Sequence, residues 1–451
     1  MLFNKLIHTL RKDPLLSKVV RNSVHLFSSN SLSLALSFLM GILSARLLGA
    51  AGFGLVGLVM GYASTVNSLL SFRMSELVVR YGGEYIERNE KDKASALIKA
   101  AGMMEAIVSL LAFVLVLLTS GLASQFISKT PNTAWMFSFF AVGLLANFNY
   151  ETSIGVLQIT DKIKFQGTIH LIQSIVGVLV IGLAFIWNGG TIIILLAYLL
   201  GKLILGMGIF IVAQAQLKRI LGTGWWQVPF KTISPYRDLV RFAISSNISA
   251  TIIKIFRESE ILWVGYFLST TAAGYYRVAY LLVSLLSVVA DPLIATVYPE
   301  INRLVVQKAW PSLRNFLRKV TTLAFCVNLA AGLGFILFGR LALTVFGGEE
   351  FSVAYPALLA LFVGFAFNYT LFWNRPLLLS FGLPEFPIWA TLIVGLVKVA
   401  LAFWLVPRFG ILAAGALLSY YYIASVGIMA LRGLKEIKIQ LRNKALGGQL
   451  A

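Results

Sequence analysis

Apolar segments long enough to cross a lipid bilayer follow one another along nearly the whole chain. Of its 451 residues, 58% are hydrophobic and 12% are charged, whereas a soluble protein carries about 25% charged residues. The segments are dominated by Leu, Ile, Val and Phe without period-two alternation, a pattern that favours helices over an outer-membrane barrel. The sequence therefore predicts an all-α integral membrane protein.

We predict about twelve transmembrane helices, because each crossing needs about 20 apolar residues. Their expected ranges are 23–45, 52–79, 100–119, 133–156, 166–187, 190–215, 242–268, 272–298, 320–339, 353–382, 386–407 and 411–431. Lys and Arg concentrate in the two termini and in most alternate loops, while the opposite side holds Arg46, Lys129, Arg340 and Arg408. By the positive-inside rule, this pattern places both termini in the cytoplasm.

A short signature occurs twice, about 220 residues apart, as expected of a duplicated unit. Two strings recur in the same order: Ser28-Ser29-Asn30 as Ser245-Ser246-Asn247, and Ala50-Ala51-Gly52-Phe53 as Ala272-Ala273-Gly274-Tyr275. We interpret the repeat as two six-helix lobes related by a pseudo-twofold along the membrane normal. Chance recurrence in a chain rich in Ser and Ala is the alternative.

The predicted domains are a cytoplasmic N-terminus (1–22), an N-lobe (23–215), an amphipathic cytoplasmic linker (216–241), a C-lobe (242–431) and a cytoplasmic amphipathic tail (432–451).

Ionisable side chains inside the predicted spans are costly and tend to mark pathways or partners. The candidate substrate-binding residues are five of the seven basic ones, Lys202, Lys254, Arg257, Arg375 and Lys398. The candidates for ion coupling or counter-charge are five of the six acidic ones, Glu105, Glu151, Glu258, Glu260 and Asp291.

Four of these residues crowd the seventh span, and two interpretations of them remain open. One is local pairing of Lys254 with Glu258 and of Arg257 with Glu260, which would neutralise the group. The other is a cationic lining of a water-filled cavity that receives an anionic substrate. The isolated Lys202 and Lys398 either contact such a substrate, extend to the membrane surface or pair with a neighbouring acid.

The string Asn374-Arg375-Pro376 interrupts the tenth predicted span. Proline cannot donate the backbone hydrogen bond that a helix needs, so we predict a kink there, with Arg375 close to the exposed backbone.

Several functions lack the sequence features that they require. There is no Gly-Lys-Ser/Thr phosphate-binding motif, and the three histidines and single cysteine form no metal-ligand pattern. We therefore expect no cofactor and no metal. The net charge of +20 does not indicate nucleic-acid binding, because most of the basic residues lie in short loops beside membrane spans. No loop is long enough for a soluble catalytic domain, so we do not expect an enzyme.

Four strings of residues carry a resemblance to a known family: Ala45-Arg46-Leu47-Leu48-Gly49-Ala50-Ala51-Gly52-Phe53-Gly54-Leu55, Ser75-Glu76-Leu77-Val78-Val79-Arg80-Tyr81-Gly82, Glu260-Ile261-Leu262-Trp263-Val264-Gly265-Tyr266-Phe267-Leu268 and Ala273-Gly274-Tyr275-Tyr276-Arg277-Val278-Ala279-Tyr280. Together they resemble the polysaccharide-transporter (Wzx-type flippase) branch of the multidrug/oligosaccharidyl-lipid/polysaccharide exporter superfamily.

The resemblance implies a flippase in the bacterial cytoplasmic membrane that translocates an undecaprenyl-diphosphate-linked oligosaccharide by alternating access. It implies partners among membrane lipids and the polysaccharide polymerase machinery, with O-antigen, lipopolysaccharide, capsule and exopolysaccharide all open as the product. The alternative function is a cation-coupled drug or metabolite antiporter of the same superfamily, which would favour an acidic cavity over a basic one. A membrane-bound sugar polymerase or ligase would need a larger outer loop than the chain provides.

Overall fold

A computed structural model describes residues 14–71, 73–232, 251, 256 and 259–447. Within these residues the regular structure is entirely helical, which confirms the all-α fold. The α-helices in chain order are α1 (Pro14–Leu70), α2 (Met74–Leu77), α3 (Gly83–Glu87), α4 (Lys91–Leu122), α5 (Ala134–Leu145), α6 (Tyr150–Ile159), α7 (Lys164–Ile186), α8 (Thr191–Leu221), α9 (Glu260–Phe267), α10 (Thr270–Ser284), α11 (Leu286–Val306), α12 (Trp310–Gly347), α13 (Tyr355–Thr370), α14 (Asn374–Ser380) and α15 (Glu385–Gly447).

Eight helical stretches of the described residues are long and apolar enough to cross a membrane. Two of them, Leu32–Glu87 and Glu385–Arg442, have 56 and 58 residues. At about 1.5 Å per residue, an unbroken helix of that size would far exceed a hydrocarbon core of about 30 Å. Each is broken by a glycine with positive φ, Gly49 (63°) in α1 and Gly410 (62°) in α15. Each stretch therefore covers two of the predicted spans.

Two other predicted spans have a different form. The fourth is divided between α5 and α6, with 12 and 10 residues, so that residues 146–149 interrupt it. The seventh lies mostly outside the described residues, and only its last part forms α9. The predicted kink in the tenth span is confirmed, because α13 ends at Thr370 and α14 begins at Asn374.

The contacts between helices divide the chain into two compact units. The first unit contains the described residues within Met1–Leu47, Ala63–Ala123 and Asn132–Ile248. The second unit contains those within Leu48–Tyr62, Ser124–Pro131 and Ser249–Ala451. The second unit thus includes two segments, 48–62 and 124–131, from the range predicted as the N-lobe.

The segment 48–62 belongs to the second unit because the two copies of the repeated signature pack against each other. A methyl group on Gly54 would lie 1.8 Å from the carbonyl oxygen of Thr270, and one on Gly274 would lie 2.0 Å from the carbonyl oxygen of Ala50. The absence of a side chain at both positions lets the backbones of α1 and α10 touch, as small residues do where membrane helices cross.

Two charged side chains form hydrogen bonds with the backbone of α1 beside this helix crossing. The Arg277 guanidinium donates a hydrogen bond to the carbonyl of Phe53 at 3.0 Å and lies 4.2 Å from the centre of the Phe53 ring. Glu350 accepts a hydrogen bond of 2.9 Å from the backbone N–H of Ala50, directly after the break at Gly49. A carboxylate in that position satisfies an N–H that the new helix start leaves without an intrahelical partner.

Candidate functional site

Lys398 and Glu260 form a buried ion pair inside the second unit. Their side chains are 2% and 6% exposed, and the ammonium donates a hydrogen bond to the Glu260 carboxylate. The ammonium also donates to the backbone carbonyl of Phe256 at 2.7 Å. Glu260 begins α9 and Lys398 lies in α15, so the pair joins two helices that are distant in sequence. In this arrangement the charge of Lys398 is compensated within the unit rather than presented to an anionic substrate.

Aromatic rings enclose the Lys398 ammonium. It lies 5.2 Å from the centre of the Tyr421 ring and 5.8 Å from that of Phe256, within the range of cation–π attraction. The Phe256 ring fits there because residue 395 is glycine; a methyl group on Gly395 would lie 2.6 Å from that ring. The two charges are evident in the sequence, but the rings are not, because no local pattern distinguishes them from ordinary core aromatics.

A cavity of about 260 Å³ in the second unit is lined in part by Tyr421, whose ring also lies beside the Lys398 ammonium. Its lining includes the hydroxyl-bearing residues Tyr369, Thr391, Tyr421, Tyr422 and Ser425, all of them buried. Arg375 also lines the cavity and is exposed. Arg375 lies at the start of α14, directly after the break that follows the end of α13 at Thr370. The cavity combines one exposed arginine with several hydroxyl-bearing residues, side-chain types that suit a phosphate or sugar.

Two further candidate acids meet in the first unit. The carboxylate of Glu105, on α4, accepts hydrogen bonds from the backbone N–H groups of Glu151 and Thr152 at 2.6 and 3.0 Å. These N–H groups lie in the first turn of α6, so Glu105 caps the helix that restarts after the break in the fourth span. The Glu151 carboxylate is hydrogen-bonded to the hydroxyl of Ser75 at 2.5 Å. Both acids are therefore engaged in contacts between helices.

Replacing Glu105 with alanine is expected to lower the free energy of unfolding by about 1–2 kcal/mol, the usual effect of losing a helix cap. Glu105→Gln should lose less, because its amide oxygen still accepts one of the two bonds. Thermal unfolding of the purified protein in detergent measures both. The control is Glu76→Ala, since Glu76 forms an exposed ion pair with Arg73 that contributes little. Equal loss from Glu76→Ala would contradict the capping role of Glu105.

The remaining candidates have different positions. Lys202 on α8 is half-buried, with its ammonium 5.3 Å from the centre of the Phe140 ring in the first unit. Lys254, Arg257 and Glu258 lie outside the described residues. Asp291 lies on α11, and its side chain is outside the described part of the structure as well. The structure thus brings together Lys398 with Glu260 and Glu105 with Glu151.

Residues 19–305 match the family described as "Polysaccharide biosynthesis protein". The chain belongs to this family. The predicted resemblance to the polysaccharide-transporter branch is thereby confirmed. A relative, "Inner membrane protein YghQ" of Escherichia coli (strain K12), is 21% identical over 345 residues, which cover 75% of this chain and 95% of the relative.

Solved transporter structures share the fold. An inward-facing multidrug resistance MATE family transporter of the MOP superfamily matches with a TM-score of 0.74 at 14% identity, covering 91% of this chain and 96% of that one. The lipid II flippase MurJ in an inward closed conformation matches with a TM-score of 0.70 at 14% identity, covering 93% and 92%. At this identity the likeness establishes the fold alone, that of an all-α membrane protein with two lobes.

Proposed function

We propose that the protein is a flippase that translocates an undecaprenyl-diphosphate-linked oligosaccharide across the bacterial cytoplasmic membrane by alternating access. The family to which it belongs supports a role in polysaccharide biosynthesis. The fold shared with a lipid II flippase supports transport of a lipid-linked substrate. In this proposal both termini face the cytoplasm, and the polysaccharide polymerase machinery uses the translocated product.

The cavity at Arg375 is the observation that carries the proposal. A guanidinium recognises phosphate oxygens through paired N–H donors, and it keeps its charge at every physiological pH. Tyr369, Thr391 and Ser425 also line this cavity. The hydroxyls of Thr391 and Ser425 donate to backbone carbonyls one turn earlier in α15, so they can meet a sugar only as hydrogen-bond acceptors. We assign Arg375 to the diphosphate or the first sugar, and Lys254, Arg257 and Lys202 to further anionic contacts along the pathway.

The acidic candidates have separate roles in this proposal. Glu260 is the counter-charge of Lys398, because the two side chains are bonded and buried. Glu105, Glu151, Glu258 and Asp291 are the residues to examine for ion coupling, since intramembrane acids commonly mediate proton or cation linkage.

Analysis of lipid-linked glycans tests the proposal directly. Cells without the protein should accumulate a completed diphosphate-linked oligosaccharide on the inner leaflet and lose the surface polymer. Cells that carry the protein should show neither effect. Unchanged lipid-linked pools with normal surface glycan would refute the flippase and favour the cation-coupled drug or metabolite antiporter.

Replacing Arg375 with alanine is expected to reduce export at least tenfold, which corresponds to the loss of about 1.4 kcal/mol of substrate binding. Arg375→Lys should retain part of the activity, because it keeps the charge but loses the paired donors. Export is measured as surface polymer per amount of protein in the membrane. Arg408→Ala is the matched control, since Arg408 is exposed and stacks on Trp404 away from this cavity. Normal export by Arg375→Ala would contradict the assignment.

A further inference from the structure

Each unit carries a groove where basic side chains lie beside apolar ones, on the side that the sequence predicts to face the cytoplasm. The groove of the first unit has a volume of about 430 Å³. It is formed by α4, the break between α5 and α6, the last turns of α8 and the turn that contains Trp225. None of the described residues that line it is acidic.

Two lysines give the first groove its charge. Lys218, near the end of α8, is exposed. Lys99, on α4, donates a hydrogen bond to the carbonyl of Val228 and lies 4.1 Å from the centre of the Phe230 ring. An ammonium has three N–H donors, so the bond to Val228 leaves donors of Lys99 for a ligand.

Trp225 is part of the wall of the same groove, and its indole N–H is buried behind that wall. Trp225 is only 8% exposed, and its indole N–H has no acceptor among the described residues. A buried donor without an acceptor is unfavourable, and buried polar groups normally have partners.

The rest of the first groove is apolar. Met103 and Trp226 line it and are 50% and 48% exposed, and the rings of Phe148 and Phe210 pack together there with centres 4.7 Å apart. Inorganic phosphate would leave this surface uncovered. A molecule with a phosphate group and a hydrocarbon chain would bind the lysines and also cover the apolar wall.

The second unit has a groove of similar composition, with a volume of about 690 Å³. Arg314 and Arg318 lie one turn apart on α12, both exposed, and neither takes part in an ion pair of the described residues. Leu317, Leu434 and Leu441 provide its apolar lining. The second groove lies on α12 and α15, the helices that contain the ninth and twelfth predicted spans, and on the tenth predicted span. In the repeat these correspond to the third, sixth and fourth spans, whose helices form the first groove.

We propose that each groove binds an anionic phospholipid of the surrounding leaflet. The phosphate lies at the basic side chains, and an acyl chain lies along the apolar wall. Basic pockets between membrane helices on the cytoplasmic side are suited to anionic headgroups, and charge complementarity with the acid-free lining favours them over zwitterionic lipids. The recurrence of the groove in both units is what duplication of a lipid-binding unit would produce. This inference does not depend on the transported substrate.

Native mass spectrometry of the full-length protein in detergent, titrated with phosphatidylglycerol or phosphatidylcholine, tests the proposal. We expect two tightly held phosphatidylglycerol molecules and no comparable retention of phosphatidylcholine. Lys218→Gln should weaken one of the two sites about fivefold, as expected for one basic residue at an anionic lipid. Arg314→Gln with Arg318→Gln should weaken the other.

Matched controls separate a built site from general surface charge. Arg219→Gln and Lys319→Gln each remove an exposed basic residue that is adjacent in sequence to a groove residue but lies outside the grooves. Both controls should bind phosphatidylglycerol as the parent protein does. Equal weakening by these controls, equal affinity for the two lipids, or binding of a polyprenyl diphosphate in place of phosphatidylglycerol would overturn the proposal.

Discussion

Replacing Lys398 with methionine is expected to lower the free energy of unfolding by about 3–5 kcal/mol, the cost of breaking a buried ion pair at one partner. Glu260 would then remain almost fully buried with its charge uncompensated, and the carbonyl of Phe256 would lose its donor. The measurement is thermal unfolding in detergent, together with the amount of folded protein in the membrane. Arg73→Met is the matched control, because the Arg73–Glu76 pair is exposed and should contribute at most about 1 kcal/mol.

The double variant Lys398→Met with Glu260→Leu distinguishes a structural pair from a substrate contact. Replacing both partners by apolar groups of similar size is often neutral, so we expect the double variant to recover most of the stability lost by Lys398→Met alone. We also expect it to retain export, since Lys398 is enclosed and bonded within the unit. A stable double variant without export would assign Lys398 to the transported substrate or its coupling ion instead.

The pairing of Lys398 with Glu260 shows where sequence analysis stops. Within a helix, spacing predicts partners three or four positions away, which is why Arg257 was considered for Glu260. The observed partner is 138 positions away. It is selected by the packing of α9 against α15, which depends on details such as the room that Gly395 leaves for Phe256. Such packing has no signature in a single sequence.

Other features of the fold can be predicted from the local sequence alone. Apolar runs and basic loops were sufficient for an all-α membrane protein, and Pro376 was sufficient for the break before Asn374. The break in the fourth span was missed, although Asn147 and Asn149 interrupt an apolar run and are poor helix formers. Its cap by Glu105 lies on another helix and was beyond any local pattern.

Replacing Gly54 with alanine is expected to destabilise the protein by about 3 kcal/mol, at the upper end of the usual cost of overpacking. The new methyl group would lie 1.8 Å from the Thr270 carbonyl oxygen and 2.6 Å from the Gly274 nitrogen. These atoms belong to the backbone of α10, so no side-chain rotation relieves the clash and the two helices must separate. Gly274→Ala should have a similar effect through the Ala50 carbonyl. Thermal unfolding and export are the measurements.

Gly334→Ala is the matched control, because a methyl group at Gly334 meets no atom within 4 Å and this glycine is also in a long helix of the second unit. It should leave stability unchanged or slightly higher, since alanine favours helices more than glycine does. Separation of α1 from α10 would also disturb the hydrogen bond from Arg277 to Phe53, so Gly54→Ala and Arg277→Ala should lose less in combination than the sum of their separate losses. Full additivity of the two losses would mean that the close glycine contact and the arginine hydrogen bond are independent. Normal stability of Gly54→Ala would refute the close contact between the two copies of the repeated signature.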